Sequence, residues 1–532
     1  MSFYLGLDAS TQRLSAVLIE AGPRHRAVVG EWSLGYDEAL PAYGTRHGVL
    51  SSPDPLVAQS PPLVWVEALD RVMAGVAAAW PAETARLAAV GGSAQQHGSV
   101  YLTAAAPAGL EALDPTRPLV DTVQPLLARD VAPVWMDATT AKECRDITAA
   151  LGGDRAVARL TGSRAFERFT GPQIRRFALQ EPARYQATGV IHLVSSFLAS
   201  LLAGRSAPID PGDGSGMNLM DIRSATWSDA AVQATAPDLA RKLPPIVSAS
   251  TVIGSLAPYW CARCGYGPAR VVVWSGDNPS SAIGTGLVRE GKVAVSLGTS
   301  DTIFGLMDEP RPDPDGAGHV FGAPTGRWMG LTCFRNGSLA RERVRDAYGM
   351  DWAAFSAALA STPLGNNGAL MLPWFELEIT PTVVRPGARR QDLDVSDAPA
   401  NVRAVVEAQM MALANHSAWM GVDVDVVHAT GGAAVNRAIL QVMADVMDAE
   451  VCEFRVSNSA ALGAALRAVE ADWVASGRRA GWDEVVAGFT EPVAVAARPV
   501  PAHVEVYKAL RVRYAAFERA ELAASPPGAR RS

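Results

Sequence analysis

Lysine is almost missing from this chain, with four among 47 basic residues. A Walker-type phosphate loop needs Gly-Lys-Ser/Thr, and the one Gly-Lys, Gly291-Lys292, is followed by Val293, so that loop is excluded. No G-x-G-x-x-G turn follows a strand in the first half, which excludes the usual dinucleotide fold. No run of 18 apolar residues appears, and the N-terminus shows neither a basic stretch nor a cleavage site. The sequence therefore predicts no membrane span and no secretory leader. Five cysteines cannot all pair. Cys261 and Cys264 lack a second pair at zinc spacing and read as two thiols in a loop. A reducing cytoplasm is the expected location. The net charge of −7 argues against nucleic acid as a partner and leaves small molecules.

What is present is a chain of 532 residues, too long for one core. "YLGLDASTQRLSAVLIE" is an apolar run that stops at Asp8, turns through Ala9, Ser10 and Thr11, and resumes at Leu14. About 290 residues later "VAVSLGTSDTIFGLM" repeats the design. Each copy reads as two strands joined by a hydroxyl-rich turn, and each opens a half that continues with alternating strand and helix. That pattern predicts two α/β domains related by duplication. The stretch from the first hairpin to about Pro62 reads as polar loop. Helical patterns fill 64–80, 138–150, the region after Gln173 and 193–202.

Four stretches carry candidate chemistry. Small and hydroxyl residues in the two hairpin turns let main-chain amides approach an anion from either half. Asp8 could hold Mg²⁺ through water, because magnesium takes few carboxylates. In "WSGDNPSSAIGTG" Asp277 follows a buried strand and precedes a small-residue helix, so it is a candidate general base or a helix N-cap. In "HATGGAAVNRAIL" Gly431 and Gly432 leave bare backbone between a strand and a helix, where a ring or ribose could lie.

Taken in order, Asp8–Thr11, Gly276-Asp277-Asn278, Ser296-Leu297-Gly298-Thr299 and Gly431-Gly432-Ala433 resemble the FGGY carbohydrate kinases. The likeness runs from about residue 3 to about residue 515. It implies two ribonuclease-H-like domains of the actin/hexokinase ATPase type with a cleft between them. The expected limits are 1–286 for a sugar-binding domain, 287–520 for a nucleotide-binding domain whose helices cross with the first, and 521–532 for a disordered tail. "SAQQHGSVYL", "PVWMDATTAKECRDI", "LTGSRAFERFTGPQI" and "DPGDGSGMNLMDI" resemble the branch that phosphorylates D-xylulose at O5.

That resemblance implies ATP and Mg²⁺, a sugar as partner, and roles for single residues. His97, Arg168, Asp277 and Asn278 would bind the sugar, with Asp277 also the base. Thr11, Gly298 and Thr299 would face phosphate, while Trp352, Gly431, Gly432 and Asn436 would line the adenosine pocket. Asp8 would serve the metal. The chain departs from the wider family at Thr139, where an arginine is common, at Gln96, where methionine is common, and at Ala433, in place of a third glycine. A kinase for ribulose, ribitol or erythritol, and a non-catalytic sugar-responsive regulator, remain open on sequence grounds. So does the oligomeric state.

Overall fold

In the computed structural model, residues 2–22, 25–454 and 458–524 are described. The chain forms two compact units. The first gathers residues 1–288, 320–328 and 456–491; the second gathers 289–319, 329–455 and 492–532. The chain first passes from one to the other after Val288. A contiguous second domain over 287–520 is not what forms, because two later segments pack within the first unit.

The first unit is built on a sheet ordered Val252–Ser255, Arg270–Val272, Leu87–Ala94, Ser2–Ala9, Arg13–Ala21, Arg26–Gly35. Ser2–Ala9 pairs antiparallel with Arg13–Ala21 and parallel with Leu87–Ala94. The last of these strands, Arg26–Gly35, falls where the sequence reads as loop. It is a half-exposed edge with Val28 and Trp32 facing solvent, so it lacks the clean alternation that marks a strand.

The two faces of this sheet are covered differently. On one face Leu5 and Leu7 pack with Trp65, Leu69 and Val72 of the helix Pro62–Ala79 and with Phe197 and Leu201 of the helix Val194–Ala203. Each such side chain contributes about 1.5–3 kcal/mol on burial. On the other face lies Ser459–Ala475, the helix from the late segment. Its small residues let main chain meet main chain: a Cβ at Gly463 would fall 1.8 Å from the Ser280 carbonyl oxygen, and one at Gly284 would fall 1.9 Å from that of Ser459. The same helix carries the buried Arg467, whose guanidinium donates to the carbonyls of Gly92 at 3.1 Å and Val273 at 2.8 Å. Those bonds tie it to two strand ends and offset the burial of its charge.

The second unit repeats the scheme. Lys292–Leu297 pairs antiparallel with Asp301–Met307 and parallel with Val426–Thr430, and Glu450–Glu453 extends the parallel side. The long helix Ala398–Ser417 is buried along most of its length and supplies Val402, Val405, Val406 and Met410 to the core. Residues 521–524, expected in a disordered tail, end the helix Pro501–Ala524, and Glu521 pairs with Arg389 at 3.3 Å. The rest of that tail, 525–532, lies outside the described residues.

Candidate active site

In the first unit direct or charge contacts link Asp8, Asp277 and Asn278, and separately His97 and Arg168. Asp8 closes Ser2–Ala9, is half-buried, and accepts a 2.7 Å hydrogen bond from the Ser93 hydroxyl of the neighbouring strand. Burial pushes its carboxyl up to about 6, against the pull of the Ser93 bond and of Arg13. Asp277 opens the helix Asp277–Gly284 as its first residue. Gly276 is the residue before the helix, so Asp277 is not its N-cap and its carboxylate is not consumed by capping. Burial, and then the negative charge of Asp8, push it up to about 7. Main-chain amides of Asn278 and Gln96 pull the other way. Asn278 donates to Asp277 Oδ1 twice, from its main-chain nitrogen at 2.8 Å and from Nδ2 at 3.0 Å.

His97 is buried, and its main chain is left-handed at φ 72°. Its Nδ1 lies 2.7 Å from the Gly216 carbonyl oxygen. A carbonyl can only accept, so Nδ1 carries the proton and Nε2 presents a lone pair. Burial, reinforced by the charge of Arg168, pushes the ring down to about 3, so it is neutral at physiological pH. The ring stacks on Phe169 at 4.2 Å, and Arg168 lies over Phe166 and Phe169 at 5.0 and 5.7 Å. The neutral acceptor and the cation thus share one aromatic support.

Thr11 is placed at the first turn, but its hydroxyl is already engaged. Trp135 Nε1 donates to it at 2.8 Å. Trp135 comes from "WMDATT", whose Asp137 is buried and accepts from the Ala58 amide, Thr139 and Gln173. Thr139, donating to Asp137 from its amide and its hydroxyl, helps to hold the loop that presents Trp135.

The second unit holds the other predicted set. Gly298, Thr299 and Ser300 form the turn, with Thr299 and Ser300 exposed. Behind it Asp301 is gripped by Arg341, whose Nη1 also donates to Gln409 Oε1 at 2.8 Å. Gln409 in turn donates to the carbonyls of Asn336 and Gly337. This buried network holds the turn from below and was not expected from the sequence. Gly431 has φ 90°, and a Cβ there would meet the Leu297 carbonyl oxygen at 2.6 Å. A residue with a side chain cannot take that place. Gly432 faces open space. Asn436 caps the helix Arg437–Met447, accepting from the amides of Ala438 and Ile439, and donates to Ser356 at 2.7 Å. Its polar atoms are spent on structure. The Ser356 bond joins the Gly431–Asn436 turn to the helix Trp352–Ser361, whose first residue is 43% exposed with Arg345 stacked 4.5 Å from its ring. Trp352 is thus an exposed aromatic face rather than core.

Missed by sequence reasoning are the buried acids Asp210 and Asp213 in "DPGDGSG". Asp213 accepts from the Ser195 hydroxyl, and both lie near Arg467. The buried pair of carboxyls so close together was signalled only by their spacing. Among the described residues no group of three or more His, Cys, Asp or Glu forms a metal cluster, and no helix is long and apolar enough to cross a membrane.

Comparison with known proteins covers nearly the whole chain. The N-terminal domain of the FGGY family of carbohydrate kinases matches residues 119–284, and its C-terminal domain matches residues 293–471. "Xylulose kinase" of Mus musculus is 41% identical over 525 residues, covering 97% of this chain and 94% of that protein. "Xylulose kinase 2" of Arabidopsis thaliana is 38% identical over 492 residues, covering 88% of this chain and 87% of its own. The crystal structure of xylulose kinase from Rhodospirillum rubrum superposes with a TM-score of 0.79 at 20% identity, covering 97% of this chain and 98% of that one. With both domains matched and 41% identity to a curated relative over 97% of its length, the chain belongs to the FGGY family of carbohydrate kinases.

Proposed function

We propose that this kinase transfers the γ-phosphoryl group of ATP to O5 of D-xylulose, giving D-xylulose 5-phosphate, in the cytoplasm. The observation that carries the reading is Asp277, a carboxylate held near 7 beside Asn278 in a chain 41% identical to a xylulose kinase. A base whose pKa lies near the working pH is both present in its charged form and willing to take a proton. Asp277 would accept the O5 proton as that oxygen attacks phosphorus. His97 Nε2 would accept from one sugar hydroxyl, the Asn278 amide oxygen from another, and Arg168 would donate. Three polar groups of fixed polarity reject an acceptor with a misplaced hydroxyl, since each would be left unpaired.

In the second unit the amides of Gly298 and Thr299 would face the transferring phosphate. Trp352, Gly431, Gly432 and Asn436 would line the adenosine, Asn436 by holding the Trp352 helix to the glycine turn rather than by its own polar atoms. Little covalent work falls to the protein in phosphoryl transfer, so positioning and charge carry the rate. Asp8 fits a magnesium ion arriving with ATP: its carboxyl is raised by burial, a strain that a dication relieves. When bound, magnesium neutralises charge developing on the phosphoryl oxygens.

The test is a panel of D-xylulose, D-ribulose, ribitol and erythritol with ATP and Mg²⁺, scored by kcat/KM. D-xylulose is expected to lead. Asp277→Ala should lower turnover roughly 10²–10⁴-fold. Preference for another acceptor, sugar-independent ATP hydrolysis, or full activity in folded Asp277→Ala would each overturn the reading.

A further inference from the structure

Gln96, the residue before the site histidine, is buried just beyond the strand Leu87–Ala94, and its amide bridges two elements. Nε2 donates to the Gly212 carbonyl at 3.1 Å, and Oε1 accepts from Asn278 Nδ2 at 2.9 Å. Which way round each amide sits follows from the first of these partners. The Gly212 carbonyl can only accept, so the nitrogen of Gln96 must face it. Its oxygen then faces Asn278, which must answer with its nitrogen. That nitrogen reaches Asp277 Oδ1 as well, and a carboxylate also only accepts. The chain of bonds is therefore polarised from end to end by the Gly212 carbonyl.

This polarity constrains the chemistry. Both donors of the Asn278 amide are taken, so it can offer the sugar only its oxygen. Asp277 Oδ1 accepts two bonds from Asn278 and has both lone pairs engaged, so Oδ2 is the oxygen to receive the proton, while the main-chain amide of Gln96 also bears on this carboxylate. The bridge is packed closely against the main chain: a Cβ on Gly276 would lie 2.4 Å from Gln96 Cγ.

We propose that Gln96 is a positioning residue for the transfer reaction: anchored on the Gly212 carbonyl, it orients the Asn278 amide and thereby selects Oδ2 of Asp277 as the base oxygen. The inference rests on Asp277 being the base and Asn278 a sugar contact. It assigns a function to the departure from the wider family at this position, because methionine can make neither bond.

A mutant cycle tests it with D-xylulose, or with whichever acceptor the panel ranks first. Gln96→Met is expected to lower kcat/KM about 5- to 50-fold, the cost of leaving one amide unheld and its partners unsatisfied. In an Asn278→Ala background the same change should have little further effect, since the two act as a unit. Asn278→Asp, a substitution at an exposed position that keeps the volume, should be worse than Asn278→Ala. It loses both donors and sets a carboxylate against Asp277 Oδ1 and Gln96 Oε1, so the acidic limb of its kcat/KM profile should move to higher pH. A residue acting solely as a sugar acceptor would instead tolerate Asp. Multiplicative effects of Gln96→Met and Asn278→Ala, wild-type kinetics in Gln96→Met, or an unmoved acidic limb in Asn278→Asp would overturn the proposal while leaving the kinase reading intact. If no acceptor turned over, the kinase reading would fall, and a crystal structure of Gln96→Met with the Asn278 amide unmoved would still dispose of the orienting role.

Discussion

Arg341 grips Asp301 through both terminal nitrogens, at 2.8 and 3.0 Å, with both side chains buried. The first hairpin turn has its acid, Asp8, before the turn, where it accepts from the Ser93 hydroxyl. The second has its acid after the turn, wholly engaged. Duplicated hairpins have thus diverged: one carboxylate stays available for chemistry and the other has become a brace.

The brace predicts a large and asymmetric effect. Arg341→Met leaves Asp301 buried without its partner and should destabilise the protein by about 3–5 kcal/mol. Restoring charge balance with Arg341→Met plus Asp301→Leu should recover much of that loss. Urea unfolding curves read both, and equal stability of the single and double variants would contradict this role for the pair.

The carboxyl of Asp277 sets a pH profile. It must be ionised to act, so kcat/KM should fall as pH drops through about 7. The negative charge of Asp8 holds that proton on. Asp8→Asn removes the repulsion, and Asp277 then ionises at lower pH. The acidic limb should shift downward even as the rate itself suffers.

Stability should respond in the opposite sense. Asp277 has a higher pKa folded, about 7, than its ordinary value of 3.8, so folding favours its protonated form. Its cost is fully present above pH 7 and disappears as pH falls toward 4. Asp277→Asn should therefore raise Tm most at pH 8, with the gain shrinking through that window.

Crowding at the helix crossing gives a further expectation. Gly463→Val would drive side-chain atoms into the Ser280 carbonyl and should cost at least about 1–3 kcal/mol, measured by thermal unfolding. Substitution at the exposed Gly477, with open space around it, is the control, though its φ of 79° favours Asn there over bulkier residues.

The duplicated hairpins, with Asp8 at the first turn, were legible because period-two apolar runs interrupted by Asp, Ser and Thr fit little besides strand, turn and strand. His97 and Asp277 stand out by motif, and that Asp277 is the first residue of its helix rather than the cap needed the folded chain, which puts Gly276 in the capping place. The edge strand Arg26–Gly35 was not legible, since a half-wet strand mixes polar and apolar residues without period. Nor was the Arg341–Asp301–Gln409 network, whose members are scattered across 108 positions of sequence from 301 to 409 and meet only on folding. Thr11 looked like a free hydroxyl because its partner, Trp135, is 124 residues away.

The helix Ser459–Ala475 covers a sheet whose first strand begins at Ser2. On a ribosome that timing matters. When residue 288 emerges, one face of the first sheet still lacks its cover, and at 5–20 residues per second the missing helix is roughly 10–40 s away. Nascent chains of this protein must pass that interval with Gly6, Gly91 and their apolar neighbours bare, an interval in which chaperone capture or premature pairing between chains competes with completion of the fold.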